Sequence, residues 1–434
     1  MASHKLSLRS AIFININIML GSGIFINSII LAKKAGSLGA FTYPLVGIFM
    51  LPLILAMSKM VEVHPSGGFY TYGTKEISPF AGFLSAWSYV VGKLASAVII
   101  TQFAVLLLQS VIAPLAGISS IAINGALSFC FLLLNLLDTK SNSIIQTLFF
   151  WFKLIPISCA IATGLFLFSP SYLTFQPTNL DGLLIAVPLV FFALGGFEAA
   201  CSISSHIENP SVNAPRSIFF SYGFVVLTTM TFQFLIYAGL GSALAQLPDY
   251  RYLFPTLVAT IFPNSGSFGT LLVAFLHITI AFSALGGSYG IMFSNNWNVY
   301  TLARHNHLVG SQAIVQFNRY NIPYLCVLIE GVIYYLFLGI SHGNQLPLQQ
   351  IGAFGPTISY AISTLATWYA MRRKTIAMHP IIPVLAMGSC IMLLGASLYS
   401  LVVDGMNSLL LFGILLSIGI AMYLSNPKVP SEAA

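Results

Sequence analysis

The sequence predicts an all-α polytopic membrane protein with twelve transmembrane helices. Three observations predict it. Only 27 of the 434 residues are charged (17 Lys+Arg and 10 Asp+Glu), or 6%, against about 25% in a soluble domain. Hydrophobic residues make up 57% of the chain, and its mean hydropathy is +0.89. Apolar runs of about 20 residues, the length a spanning helix needs, recur from one end to the other. A soluble enzyme, a nucleic-acid binder and a disordered chain are disfavoured on these grounds. A membrane β-barrel would show roughly ten-residue segments of alternating polarity, which are absent.

The runs lie near 10–31, 38–59, 80–111, 117–137, 143–168, 183–205, 217–245, 267–300, 322–340, 350–370, 380–402 and 406–425. The third, seventh and eighth are long enough to tilt or to extend beyond the bilayer. The connections 60–79 and 301–321 hold Pro65, Gly67, Gly68, Asn306 and Asn318, which suit turns or short interfacial helices. No connection is long enough for a separate soluble domain. Alternation of the spans places twelve basic residues on one face, among them Lys5, Arg9, Arg216, Arg372 and Lys428. The other face holds only Lys33, Lys34 and Arg251. Basic residues collect on the cytoplasmic side, so both termini are expected there and the net charge of +7 needs no nucleic-acid partner. The first apolar run lacks a cleavage pattern and is not read as a signal peptide.

The five cysteines are scattered through apolar stretches without metal or disulfide spacing. There is no P-loop, H-E-x-x-H or G-x-S-x-G motif. No cofactor, metal or enzymatic activity is therefore expected.

Two spans carry matching interruptions. The first contains Leu20-Gly21-Ser22-Gly23-Ile24, and the sixth contains Leu194-Gly195-Gly196-Phe197-Glu198. Glycine lets a helix open. In hydrocarbon the freed N–H and C=O groups must line a cavity or bind something. A half-helix N-terminus suits a carboxylate. Paired breaks in corresponding spans of two repeats point to a transporter's central site; close packing by small residues is the competing explanation.

Four charges fall in mid-span: Lys93, Lys153, Glu198 and Glu330. A charge at mid-membrane costs about 2.5–3.5 kcal/mol even on the lenient insertion scale, so each needs a cavity or a partner. Two structural Lys–Glu pairs are one solution. A proton-exchanging or permanently cationic Lys153 and a gating or substrate-binding Glu198 are another.

Several motifs resemble the amino acid–polyamine–organocation superfamily. They are Gly21-Ser22-Gly23-Ile24-Phe25, His64-Pro65-Ser66-Gly67-Gly68-Phe69-Tyr70-Thr71-Tyr72, Gly196-Phe197-Glu198 with Glu208-Asn209-Pro210 and Ala214-Pro215-Arg216, and Asn321-Ile322-Pro323. The resemblance implies a five-plus-five inverted-repeat (LeuT-like) fold with helices 1 and 6 unwound. Residues 10–168 would form the first repeat, 183–370 the second and 380–425 two added helices, with 1–9 and 426–434 as cytoplasmic ends. It implies alternating access in the cytoplasmic (inner) membrane by a secondary amino-acid transporter, proton-coupled or exchanging. An arginine/polyamine-type antiporter and an amino-acid-sensing receptor of the same fold are the alternatives. Gly21, Ser22, Gly23 and Ile24 would bind substrate with Phe192, Ala193 and Gly195. Phe192 and Glu198 would gate. Lys153 would stand where sodium bridges spans one and eight in sodium-coupled relatives, with Ser283 or Ser288 beside it. The partners implied are an amino acid or amine, the bilayer and protons, in a monomer or a homodimer. Two departures stand out. His206 occupies a position often acidic in the superfamily, and Lys93 matches no family position; pointing inward, it would disfavour a strongly basic substrate.

Overall fold

The computed structural model describes residues 5–65, 67–174, 182–183, 186–341 and 345–426. Ser66, and residues 1–4 and 427–434 of the expected cytoplasmic ends 1–9 and 426–434, Lys428 included, lie outside them. The described chain is helical throughout; its extended pairings are two isolated bridges, Leu6 with Ile207 and Phe317 with Pro323. Among the described residues, eight helical stretches are long and apolar enough to cross a membrane.

The first expected run divides into α1 (Leu8–Met19) and α2 (Gly23–Ala35). α2 leads through a 3-10 turn into α3 (Thr42–Val63), so Gly23–Val63 forms one of the eight. The connection after it contains α4 (Gly68–Glu76), the short helix its sequence suggested. α5 (Pro79–Val111), α6 (Ser120–Asn135) and α7 (Thr139–Phe166) follow. The sixth run is again divided, into α8 (Val187–Leu194) and α9 (Ala199–Ser202). Then come α10 (Pro210–Leu240), α11 (Leu253–Ile261) and α12 (Gly266–Arg304). α13 (Tyr324–Ser341), α14 (Gln345–Arg372), α15 (Ile381–Asp404) and α16 (Met406–Ser425) complete the fold. The 39 residues of α12 span about 58 Å at 1.5 Å per residue. It therefore extends beyond a hydrocarbon core of about 30 Å. α6 is apolar but only 16 residues long, and α14 is more polar, so neither is among the eight.

Local chemistry sets several helix starts. Ser7 caps α1, its hydroxyl accepting the Ser10 N–H at 3.3 Å. Ser78 caps α5 with Pro79 in its first turn. Asp138 caps α7, accepting the Ser141 N–H at 2.9 Å. Each satisfies a donor that the first helical turn leaves free. Asn209 takes φ +45° before Pro210 starts α10, a left-handed conformation asparagine tolerates. Ahead of α1, Leu6 donates its N–H to the His206 carbonyl at 2.7 Å and accepts the Glu208 N–H at 2.9 Å. The N-terminal segment is thus tied to the chain just before α10.

α5 is the axis of the molecule. Its most apolar window is 94% buried, against 33% for that of α7, so α5 is enclosed by protein while α7 presents Trp151, Leu165 and Phe166 outward. α5 and α14 cross with little between their backbones. A Cβ placed on Gly92 would lie 2.6 Å from Pro356 Cδ and 2.8 Å from Gly355 Cα. Close approach through small residues gives dispersion contact where the hydrophobic effect between helices is weak. Gly92→Val should therefore lower stability by about 1–3 kcal/mol, read as an earlier thermal unfolding transition in detergent; an unchanged transition would mean that the crossing adjusts freely.

Candidate functional site

The two interruptions meet. α1 stops at Met19 and α2 starts at Gly23, leaving Leu20, Gly21 and Ser22 between them. α8 stops at Leu194. Gly195 is extended (φ −69°, ψ 149°) and Gly196 has φ +118°, a conformation open to glycine alone. A Cβ on Gly23 would stand 2.9 Å from the Cβ of Ala193, and one on Gly196 would stand 2.7 Å from Ile18 Cγ2. Two asparagines fasten the broken helices to each other. The Asn15 side-chain carbonyl accepts the Ala200 N–H at 3.0 Å, and the Asn27 amide donates to the Leu189 carbonyl at 3.1 Å.

Beside the breaks lies a small cavity of about 40 Å³, below the range of small-molecule sites. Gly21, Ser22 and Gly23 line it from the first break, and Phe191, Phe192, Ala193 and Gly195 from the second. Lys93, Ser96 and Ile100 of α5 and Ala353, Pro356 and Tyr360 of α14 form further walls. In the first turn of α2 the Phe25 and Ile26 N–H groups bond to the Ser22 carbonyl, and at the end of α8 the Phe191 and Phe192 carbonyls accept the Gly195 N–H; the remaining end groups have no partner within their own helix. The site thus presents partial positive charge from one break and partial negative charge from the other. That is the pattern an amino acid's carboxylate and ammonium require.

Lys153 of α7 is fully buried. Its ammonium donates to the Leu20 carbonyl in the first break, to the Ser283 carbonyl at 2.6 Å and to the Ser283 hydroxyl at 3.0 Å. These three acceptors match the three donors of a charged lysine, so it needs no carboxylate to be accommodated as a cation. It bridges the opened first helix and α12.

A model of the amino acid permease family matches residues 6–426. The chain belongs to the amino acid permease family. A serine/threonine exchanger of Bacillus subtilis is 24% identical to it, over 91% of this chain and 91% of its own length. The large neutral amino acids transporter small subunit 2 of Mus musculus is 25% identical, over 92% of this chain and 80% of its own. The Asc-type amino acid transporter 1 of the same organism is 27% identical over 73% and 61%.

The geometry of this permease refines several sequence expectations. Ile24 is buried beside the first break but does not line the cavity. Of the two serines proposed beside Lys153, Ser283 is the neighbour. Ser288 instead donates to the Ala97 carbonyl at 3.1 Å and receives the Thr101 hydroxyl at 2.8 Å, because five residues along a helix turn it to another side. Glu198 does not line the cavity either. Its carboxylate faces Lys93 at 2.7 Å, the Tyr89 hydroxyl at 3.1 Å and the Gly196 N–H at 2.8 Å. One of the two mid-span Lys–Glu pairs considered from sequence thus forms, between α5 and the second break. The other does not: among the described residues, neither carboxylate oxygen of the fully buried Glu330 has a hydrogen-bond partner. His206 stacks on Trp297 with ring centroids 3.7 Å apart. Burial first, and then Lys5, push its pKa down to about 4.

Sequence reasoning did not find Ser96, Tyr360 or Tyr89. Ser96 stands three residues beyond Lys93, about one helical turn away on the same face, so an inward Lys93 was the available signal. Tyr360 and Tyr89 carried none. The near-contact of the breaks gives a direct test. Gly23→Leu places its side chain against Ala193 and into the cavity, and should remove saturable amino-acid uptake by reconstituted protein. Uptake with an unchanged KM would mean that the break does not form the site.

Proposed function

We propose that this permease is a secondary active transporter that binds an amino acid at the two helix breaks and moves it by alternating access. The observation that carries the reading is the shared cavity at Gly21–Gly23 and Phe191–Gly195, where opposite helix-end charges face one space. Carboxylate recognition falls to the first turn of α2 and ammonium recognition to the end of α8. Phe192, on the cavity wall, closes over the substrate. Glu198 acts on the gate through the backbone of the second break, since its carboxylate accepts the Gly196 N–H.

In this reading the chain has twelve spans. Residues 10–168 and 183–370 are inverted five-helix repeats, 380–425 adds two helices, and both termini face the cytoplasm across the inner membrane. The twelve-to-three bias of basic residues supports the orientation. Lys153 is the coupling residue: a fixed cation between Leu20 and Ser283 takes the place of a bound sodium ion. Exchange is favoured over proton symport, because Lys153 has three acceptors arranged for its charged form and because one relative is named an exchanger.

Counterflow in proteoliposomes tests the reading. Labelled amino acid should accumulate against unlabelled amino acid inside, without sodium, and a current without counterflow would replace the transporter by a channel. Lys153→Ala frees the Leu20 and Ser283 carbonyls and should cut exchange by about tenfold or more at every external pH from 5 to 8. Wild-type exchange in this variant would overturn the bridge. Intact exchange that loses only its pH dependence would make Lys153 a proton carrier instead.

A further inference from the structure

Among the described residues, Lys93 is the one charged side chain lining the cavity, and it is paired with Glu198, which does not line it. Its ammonium lies 2.7 Å from Glu198 Oε1, and the Lys93 side chain is 8% exposed while Glu198 is fully buried. Tyr89 and the Gly196 N–H occupy other positions on the same carboxylate. The pair is neutral as a whole, and of its two members Lys93 lines the cavity while Glu198 does not.

This inference rests on the transporter reading. The substrate's own carboxylate and ammonium are matched by the helix breaks, so a charge on its side chain must find its partner on the remaining walls. A cationic side chain would meet Lys93. An anionic one would draw Lys93 away and leave Glu198 as a buried unpaired charge, which is strongly unfavourable. Uncharged side chains disturb neither. We infer that Lys93, held in place by Glu198, is a specificity-determining residue that restricts this permease to amino acids with uncharged side chains and rejects basic ones. The selection works by repulsion built into the wall, a general way to separate similar ligands.

The structure makes opposite predictions for the two halves of the pair. Counterflow is run with labelled alanine, serine, leucine, arginine and aspartate on protein whose folding is checked by gel filtration and thermal unfolding. Wild type should exchange the three neutral amino acids and neither charged one. Lys93→Met uncovers the Glu198 carboxylate and should raise arginine exchange relative to alanine by about tenfold or more. Glu198→Gln leaves Lys93 unpaired and should raise aspartate binding instead. The double variant, which leaves neither charge alone, should bind neutral amino acids only; because Glu198 also acts on the gate, both Glu198 variants are read by ligand-induced thermal stabilisation, which does not require turnover. If Lys93→Met is not recovered folded, the contrast between Glu198→Gln and the double variant carries the test in the same way. Equal exchange of arginine by wild type, or an unchanged charge preference in the folded variants, would overturn the role of Lys93 while leaving the transporter reading intact. Absence of exchange of any amino acid by wild type would overturn both.

Discussion

Hydrocarbon offers no hydrogen bonds, and the centre of this protein is organised around that fact. Two apolar runs open in the interior of the protein, and the peptide groups they release must be satisfied by something other than bulk water. Part of the solution is internal: Lys153 takes the Leu20 carbonyl, Asn15 takes the Ala200 N–H, and Glu198 takes the Gly196 N–H. What these side chains leave unmatched faces the cavity. The same deficit that would destabilise a plain spanning helix therefore leaves helix-end charges facing one space, the feature on which the proposed substrate site rests.

Around the breaks, packing is uneven in a useful way. α5 is enclosed along nearly its whole length, while α7 and others give much of their surface to lipid. The enclosed helix carries Lys93, Ser96 and Ile100 to the cavity and Thr101 to Ser288 of α12. Its contact with α14 is set by glycine and proline at Gly92, Gly355 and Pro356. Because Gly92 immediately precedes Lys93, this close crossing also fixes the height and direction from which the ammonium reaches Glu198.

Much of this was legible in the sequence, because the signals were chemical contradictions. A charge or a pair of glycines within an apolar run must have a reason, and both breaks and Lys153 were found on that basis. The pairing of Lys93 with Glu198 was visible only as one of several ways to neutralise four mid-span charges. Which lysine meets which glutamate depends on how distant helices rotate against one another, and apolar periodicity is too uniform here to specify rotation. The same limit explains why Ser283 and Ser288 could not be separated until α12 was placed. Helix ends were harder still: the run read near 217–245 forms a helix over Pro210–Leu240, which its proline starts earlier.

The tie between the N-terminal segment and the chain before α10 includes two main-chain hydrogen bonds, from Leu6 to His206 and Glu208, beside the buried Leu6 and Ile207 side chains. Main-chain bonds of this kind are sensitive to spacing. Adding or removing one residue between Leu6 and Leu8 would reverse which peptide faces the partner strand and send the donor away from its acceptor. At this entrance to the first broken helix, chain length is a property under constraint alongside residue identity.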